Sequence, residues 1–381
     1  MMFSLSRCGL CMCVQRPVLL LAQKRHYAIP DEKRGMPLYC DSPFGVEASE
    51  IIDVRTPNEF EVDHIPKAVN LPVLRQSEHH EVGCLYKCNQ FRARKLGAEI
   101  ISKNISGFLS SHFIDKESDY HPLIYCFRGG QRSLSLALVL SQIGFKVSVL
   151  KGGYKNYRKL VQEQLKELPK GFNFNVISGL TGSGKTLLLH TLHQHGEQVL
   201  DLEALANHRG SVLGLEPGVC QPSQKYWESL LRDRLSSFDV SRPVWVESEG
   251  RGIGRCFIPE EMFKAMCCNS RKYVIILPLD KRIHHIISEY RFWTVQKEDT
   301  ITCITNLKKF HRDKKIEHWC ELVRKEQWED FVKDILTEHY DKAYSHSQKK
   351  MLSRSCDNSV EELLIPDLTP GTLSDLVKRI V

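Results

Sequence analysis

Short, mostly apolar runs recur along this chain, each followed by a stretch of helical or polar character. Ile51–Val54, Leu123–Tyr125 and Val147–Leu150 are such runs in the first part, and Phe174–Ser178, Gln198–Asp201, Val244–Glu247 and Tyr273–Leu277 in the second. An apolar run without alternation is the mark of a strand covered on both faces, as parallel strands are. Between them, Leu134–Ile143 carries apolar residues at helical spacing and stops at Gly144, a glycine helix cap. Glu81–Lys87 leads into a predicted helix over Gln90–Ile105, and another apolar helix begins at Leu187. Gln162–Gly171 reads as a polar helix and linker. Strands separated by helices predict two successive α/β layers, the second ending in a helical C-terminal region.

The chemistry concentrates where these strands end. The first site is Tyr125-Cys-Phe-Arg-Gly-Gly-Gln-Arg-Ser133: a strand that ends on Cys126, a tight glycine-rich loop, and a helix start. Loop N–H groups, the positive end of the helix, Arg128 and Arg132 all favour thiolate over thiol, so Cys126 is expected to be nucleophilic near neutral pH. A Cys-x5-Arg loop is shared by rhodanese sulfurtransferases and cysteine phosphatases. The upstream run Ile51-Ile-Asp-Val-Arg-Thr-Pro-Asn-Glu-Phe60, with His64-Ile-Pro-Lys-Ala-Val-Asn-Leu71, resembles the rhodanese signature. On that resemblance Asp53, Arg55, Glu59 and His64 build the scaffold, and Cys126 carries sulfur or selenium.

The second site is Asn175-Val-Ile-Ser-Gly-Leu-Thr-Gly-Ser-Gly-Lys-Thr186, a strand, a Gly-x4-Gly-Lys-Thr loop and an apolar helix. This is the context a phosphate-binding loop requires. Amides around Gly179, Gly182, Ser183 and Gly184 can point at phosphate oxygens, Lys185 supplies a charge, and Thr186 can ligate magnesium. Asp201, Glu247 and Glu249 fall at or just past strand ends, where ligand crevices form. They are candidates for metal or substrate contact, with helix capping or loop ion pairing as the alternative.

A rhodanese module followed by a P-loop domain is similar to the tRNA 2-selenouridine synthase family. Further runs carry the likeness: Leu200-Asp-Leu-Glu-Ala-Leu-Ala-Asn-His-Arg-Gly-Ser211, Gln221-Pro-Ser-Gln224, Val246-Glu-Ser-Glu249 and Asp334-Ile-Leu-Thr-Glu-His-Tyr-Asp-Lys-Ala-Tyr344. Gly250 and Gly252 stand where that family leads one to expect Ser and Arg, which removes a candidate phosphate contact. The resemblance implies a rhodanese-like α/β domain over 37–160, a linker over 161–173 and a P-loop NTPase-like parallel-sheet domain over 174–381. It implies conversion of wobble 2-thiouridine in tRNA to 2-selenouridine by way of an S-geranyl intermediate. Geranyl diphosphate and selenophosphate are then co-substrates, and a selenophosphate supplier is a candidate partner. An NTP-dependent sulfurtransferase or kinase that does not act on tRNA, and a non-catalytic binding protein, are the alternative classes.

Composition adds three points. The chain has 381 residues, enough for about two domains, and its formal charge of +7 leans toward an anionic partner. Candidate tRNA contacts are His208, Arg209, Lys308, Lys309, Lys314 and Lys315, with Arg271-Lys272 and Lys281-Arg282 as further basic pairs and Tyr226 and Trp227 as stacking candidates. Solvated helix faces and core aromatics are the alternative for each. Fourteen cysteines lack a repeating disulfide-like spacing, and neither Cys84-x3-Cys88 nor Cys267-Cys268 has a matching second ligand pair, so no metal site is assigned. Free thiols point to a reducing compartment. Finally, residues 1–30 hold no Asp or Glu but do hold Arg7, Arg16, Lys24 and Arg25. A leader over 1–36 of this kind resembles a mitochondrial presequence, so the matrix is the expected location. Val18–Ala22 is too short to span a bilayer, and no stable membrane insertion is expected.

Overall fold

In the computed structural model the described residues are 35–209, 220–248, 250–268, 270–290, 297–344 and 360–381. The basic leader lies almost wholly outside them, as do Glu249 and the Gly210-Ser211 end of the Ala-Asn-His-Arg-Gly-Ser run.

In the first domain the strands are β1 (Leu38–Cys40), β2 (Glu50–Asp53), β3 (Val69–Asn70), β4 (Pro122–Tyr125) and β5 (Ser148–Leu150). They pair in parallel in the order β1-β5-β4-β2-β3, with Ile51 opposite Leu123 and Ile124 opposite Val149. Its helices are α1 (Pro57–Val62), α2 (Gln76–Cys88), α3 (Gln90–Ser111), α4 (Gln131–Ile143) and α5 (Gly153–Glu167). Residues 81–87 do not run straight into α3. Asn89 is extended and caps α3 with its side chain, which accepts the Arg92 N–H, so α2 and α3 form a helical pair. Gly144 ends α4 in the left-handed conformation, φ 118°, as its position after the last apolar residue predicts.

The second domain begins with β6 (Phe174–Gly179), α6 (Lys185–Gln194), β7 (Gln198–Leu200), α7 (Leu202–Ala206), α8 (Gln224–Ser236) and β8 (Val244–Glu247). A small antiparallel hairpin, β9 (Gly252–Ile253) and β10 (Cys256–Phe257), leads to α9 (Glu260–Cys268) and β11 (Ser270–Ile276). Among the described residues the helices α10 (Leu279–Glu289), α11 (Lys297–Thr305), α12 (Asp313–Arg324) and α13 (Trp328–Ile335) follow. They enclose an apolar cluster of their own around Ile304, Trp319, Phe331 and Val332. The chain then returns to the sheet as β12 (Val360–Leu364) and closes with α14 (Pro370–Ile380), which packs Leu373, Leu376 and Val377 toward Leu188 and Leu192 of α6. The sheet order is β12-β11-β6-β8-β7, every pair parallel.

The stretch expected as a linker is half of a buried strut. Helix α5 carries Tyr157, Val161 and Leu165 into a core that also holds Phe172, Trp227, Leu231 and Met266 of the second domain. At 1.5 Å per residue α5 is about 22 Å long. One end abuts the cysteine loop and the other leads, through a single 3-10 turn at Leu168–Gly171, into β6 and the phosphate loop. Among the described residues no helix is long and apolar enough to cross a membrane.

Candidate active site: a cysteine loop and a phosphate loop

Cys126 follows β4, and its side chain turns back into the loop that leads to α4. The Gly130 N–H and the Ser133 hydroxyl both donate to Sγ, each at 3.2 Å. The loop is held from below by α5: the Tyr154 N–H donates to the Cys126 carbonyl at 2.8 Å and the Lys155 N–H to the Phe127 carbonyl at 3.0 Å. This approach needs Gly153, whose φ is 56° and where a Cβ would overlap the Cys126 carbonyl oxygen.

The arginines behave differently from the sequence expectation. The Arg132 guanidinium pairs with Glu59 at 2.8 Å. Burial pushes the Glu59 carboxyl up, but Arg132 outweighs it and holds it below its ordinary range. Glu59 in turn closes a reciprocal cap with Thr56 at the start of α1, so this ion pair ties the helix after the cysteine loop to the helix after β2. Arg128 is exposed, its guanidinium 5.7 Å from the Phe127 ring. The donor that sequence reading missed is Ser133, the third residue of α4. A hydroxyl one turn into the helix that follows Cys-x5-Arg is the signal that could have found it.

Below the loop a buried network joins the domains. Arg55 pairs with Asp53 at 2.6 Å, donates to the Asp63 carbonyl at 2.6 Å and lies 4.0 Å from the Tyr154 ring. The Asp63 carboxylate accepts the Tyr154 hydroxyl and, from the second domain, the Ser229 hydroxyl, both at 2.8 Å. Burial pushes the Asp63 carboxyl above its usual range, and the two hydroxyls and Arg158 only partly offset it. Arg158 pairs with Glu228, Ser223 donates to the Val62 carbonyl, and His64 lies 4.2 Å from the Tyr226 ring. Asp53, Arg55, Glu59 and His64 are therefore scaffold. Tyr226 belongs to this interface and Trp227 is fully buried, so neither is placed to stack on a base.

The second site is the turn between β6 and α6. Lys185 opens α6 and folds back, with Nζ 3.1 Å from the Gly179 carbonyl and 5.6 Å from the centre of the Tyr344 ring. Ser183 is 1% exposed, and its hydroxyl has no hydrogen-bond partner among the described residues. Gly182 has φ 79°, and a Cβ there would lie 2.6 Å from Ile286 of α10. The loop is braced from the C-terminal region: Arg282, 3% exposed, donates from Nε to the Thr181 carbonyl at 2.9 Å and grips Asp341 at 2.6 and 3.1 Å. Arg282 is thus a loop brace rather than part of a basic surface.

The remaining candidates sort by burial and partners. The Asp201 carboxylate caps α7 by accepting the Ala204 N–H at 2.8 Å and lies 3.3 Å from His190; the Glu247 carboxylate accepts the Glu203 N–H at 3.1 Å. Asp201 is the N-cap of α7, and Glu247 accepts an N–H of its first turn. Thr186 lies half-buried in the first turn of α6. His208 is buried, Arg209 pairs with Glu289 at 3.1 Å, and Lys272 is only 4% exposed. Lys315 is held by Asp334 at 2.7 Å, and Lys308 lies 3.9 Å from Asp313. Lys309, Phe310 and Lys314 are exposed, Phe310 by 61%, and the Lys309 ammonium lies 5.4 Å from the centre of the Phe310 ring.

With both sites in place, similarity to known proteins can be read against them. The family profile of the rhodanese-like domain matches residues 40–160, and that of the tRNA 2-selenouridine synthase AAA domain matches residues 172–313. The tRNA 2-selenouridine synthase of Sulfurovum sp. is 31% identical over 337 residues, which cover 80% of this chain and 90% of that protein. The chain belongs to the tRNA 2-selenouridine synthase family. The enzyme of that name from Hydrogenovibrio crunogenus is 31% identical over 332 residues, 79% of this chain and 89% of the relative. The one from Nitrosomonas europaea is 37% identical over 246 residues, 63% of each chain. The rhodanese-then-P-loop order expected for this family is the order found here.

Proposed function

We propose that this protein is a transferase that modifies tRNA, exchanging the sulfur of a wobble 2-thiouridine for selenium. The observation that carries the reading is the joining of a cysteine loop and a phosphate loop by one buried helix, α5, in a chain of this family. The 2-thio sulfur attacks the first carbon of geranyl diphosphate, the carbon–oxygen bond breaks, and diphosphate leaves. Alkylation turns a poor leaving group into a good one. The selenium of selenophosphate then attacks C2 of the uracil ring, the geranylthio group departs from that carbon with the bonding electrons and is protonated to geranylthiol, and water cleaves the selenium–phosphorus bond to release phosphate. Cys126 is the residue proposed to act on the chalcogen during this exchange, with the Gly130 amide and the Ser133 hydroxyl as donors to its sulfur.

The phosphate loop suits the diphosphate. Its amides read phosphate and not adenine, the Ser183 hydroxyl is unpaired among the described residues, and the apolar side chains of Ile286 and Leu368 stand against Gly182 and Gly184, where a prenyl chain would find them. A magnesium ion would rest on Thr186 and the ligand's own oxygens, neutralising phosphate charge. The Lys309–Phe310–Lys314 patch supplies a face for the tRNA backbone. The basic leader makes the mitochondrial matrix the proposed location. The test is a pair of half-reactions on tRNA bearing 2-thiouridine, followed by nucleoside mass spectrometry. Geranyl diphosphate alone should give the S-geranyl nucleoside, and selenophosphate added afterwards the 2-selenouridine. Product that forms only with ATP and without geranyl diphosphate would overturn this scheme in favour of a nucleotide-dependent sulfurtransferase.

A further inference from the structure

Tyr344 touches the phosphate loop at two points, and Asp341 reaches it through Arg282. The Gly179 N–H, at the first glycine of the loop, donates to the Tyr344 hydroxyl at 2.8 Å. The Lys185 ammonium lies 5.6 Å from the centre of the Tyr344 ring. One helical turn earlier, Asp341 fixes Arg282, whose Nε donates to the Thr181 carbonyl in the middle of the loop. Residues 165 positions apart in sequence are thus joined at the loop by a direct hydrogen bond.

A phenol that accepts an N–H bond through its oxygen keeps its own proton to donate. Here that proton sits beside the first glycine and the lysine of a loop shaped for phosphate, and Arg282 is bound to a carboxylate and a carbonyl. We infer that Tyr344 is a ligand-contacting residue of the phosphate loop, donating its O–H to an oxygen of the bound diphosphate while its ring positions Lys185. Asp341 is the positioning residue that holds this segment against the loop through Arg282. This rests on the reading that the loop binds a diphosphate. It adds that the C-terminal segment completes the site, so the loop and α6 alone are not the whole binding surface.

The experiment is calorimetric titration of inorganic pyrophosphate into the full-length protein and its variants, with ligand-free melting temperatures measured alongside. Tyr344→Phe keeps the ring over Lys185 and removes only the hydroxyl. A charge-assisted hydrogen bond lost from the complex predicts about tenfold weaker pyrophosphate binding, with the ligand-free melting temperature almost unchanged. Tyr344→Leu removes the ring as well and should weaken binding further. Should that variant fail to fold, Tyr344→Phe still decides. Asp341→Asn should weaken binding less than either. Wild-type affinity in Tyr344→Phe, or a lower melting temperature with affinity intact, would make Tyr344 a packing residue and overturn the inference. Lys185→Ala separates the two claims. If it weakens binding and Tyr344→Phe does not, the inference falls while the loop keeps its role; if wild type binds no pyrophosphate, both fall.

Discussion

Replacing Ser133 with alanine tests the cysteine loop at its most specific point. The Ser133 hydroxyl is fully buried and lies 3.2 Å from the Cys126 sulfur and 3.1 Å from the Gly130 carbonyl. Its single proton can serve one of them at a time, and an electron-rich sulfur is the stronger claimant. Removing it leaves the Gly130 N–H, also at 3.2 Å, as a donor to the sulfur. A cysteine reacts with an alkylating reagent as its thiolate; a hydrogen bond to a charged group contributes about 1.5–3 kcal/mol, and each 1.4 kcal/mol is about tenfold in rate. Ser133→Ala should therefore slow reaction at Cys126 by about ten- to a hundredfold. Folding should suffer little, by about 1 kcal/mol, because no charged group is left unpaired. The assay is iodoacetamide labelling read by peptide mass spectrometry. The exposed thiols Cys84 and Cys88 serve as internal controls that should react alike in both proteins. Labelling of Cys126 within twofold of wild type would show that the hydroxyl does not act on the sulfur.

Two further outcomes follow from the same geometry. The Glu59 carboxyl is held below its ordinary value of 4.5 in the folded state, so its contribution to stability is fully present above that value and fades as the pH falls through the folded one. Denaturant melts of wild type and Glu59→Gln should differ by a constant amount above about pH 5 and converge below it; a gap that stays constant into strong acid would contradict the Arg132 pairing. For tRNA, binding measured against salt should lose about 1.4–1.8 from its log–log slope in the Lys309→Glu, Lys314→Glu double variant, at 0.7–0.9 per phosphate contact. Lys315→Gln should leave that slope alone, because Lys315 is committed to Asp334 at 2.7 Å; an effect of Lys315 equal to that of the exposed pair would place the tRNA differently.

What the sequence reveals follows from how local each feature is. Strands β4 and β6 and the loops after them are continuous in the chain, so an apolar run, glycines and a helix start suffice to place Cys126 and Lys185. The Asp53, Arg55 and Glu59 scaffold is legible for the same reason. Strand β12 is not: Val360-Glu-Glu-Leu-Leu364 is an acidic edge strand with only Leu363 buried, and its pairing with β11 is decided by tertiary contact. The break at Asn89 needs knowledge that its side chain turns to cap α3. Charge is read least reliably. Arg132, Arg282 and Lys315 look alike in sequence to Lys309 and Lys314, yet each has a carboxylate partner brought by distant chain: Glu59, Asp341 and Asp334. Arg282 moves from a supposed basic surface to the brace of the phosphate loop on that account alone.

The central claim is that Cys126 handles the chalcogen that ends up in tRNA. Its most direct test is nucleoside mass spectrometry of 2-thiouridine tRNA incubated with geranyl diphosphate, selenophosphate and either wild type or Cys126→Ser, a substitution that hardly changes side-chain volume. Wild type should yield 2-selenouridine, and the serine variant, folded and still binding tRNA, should yield none. Selenouridine formed at the wild-type rate by Cys126→Ser would contradict the account.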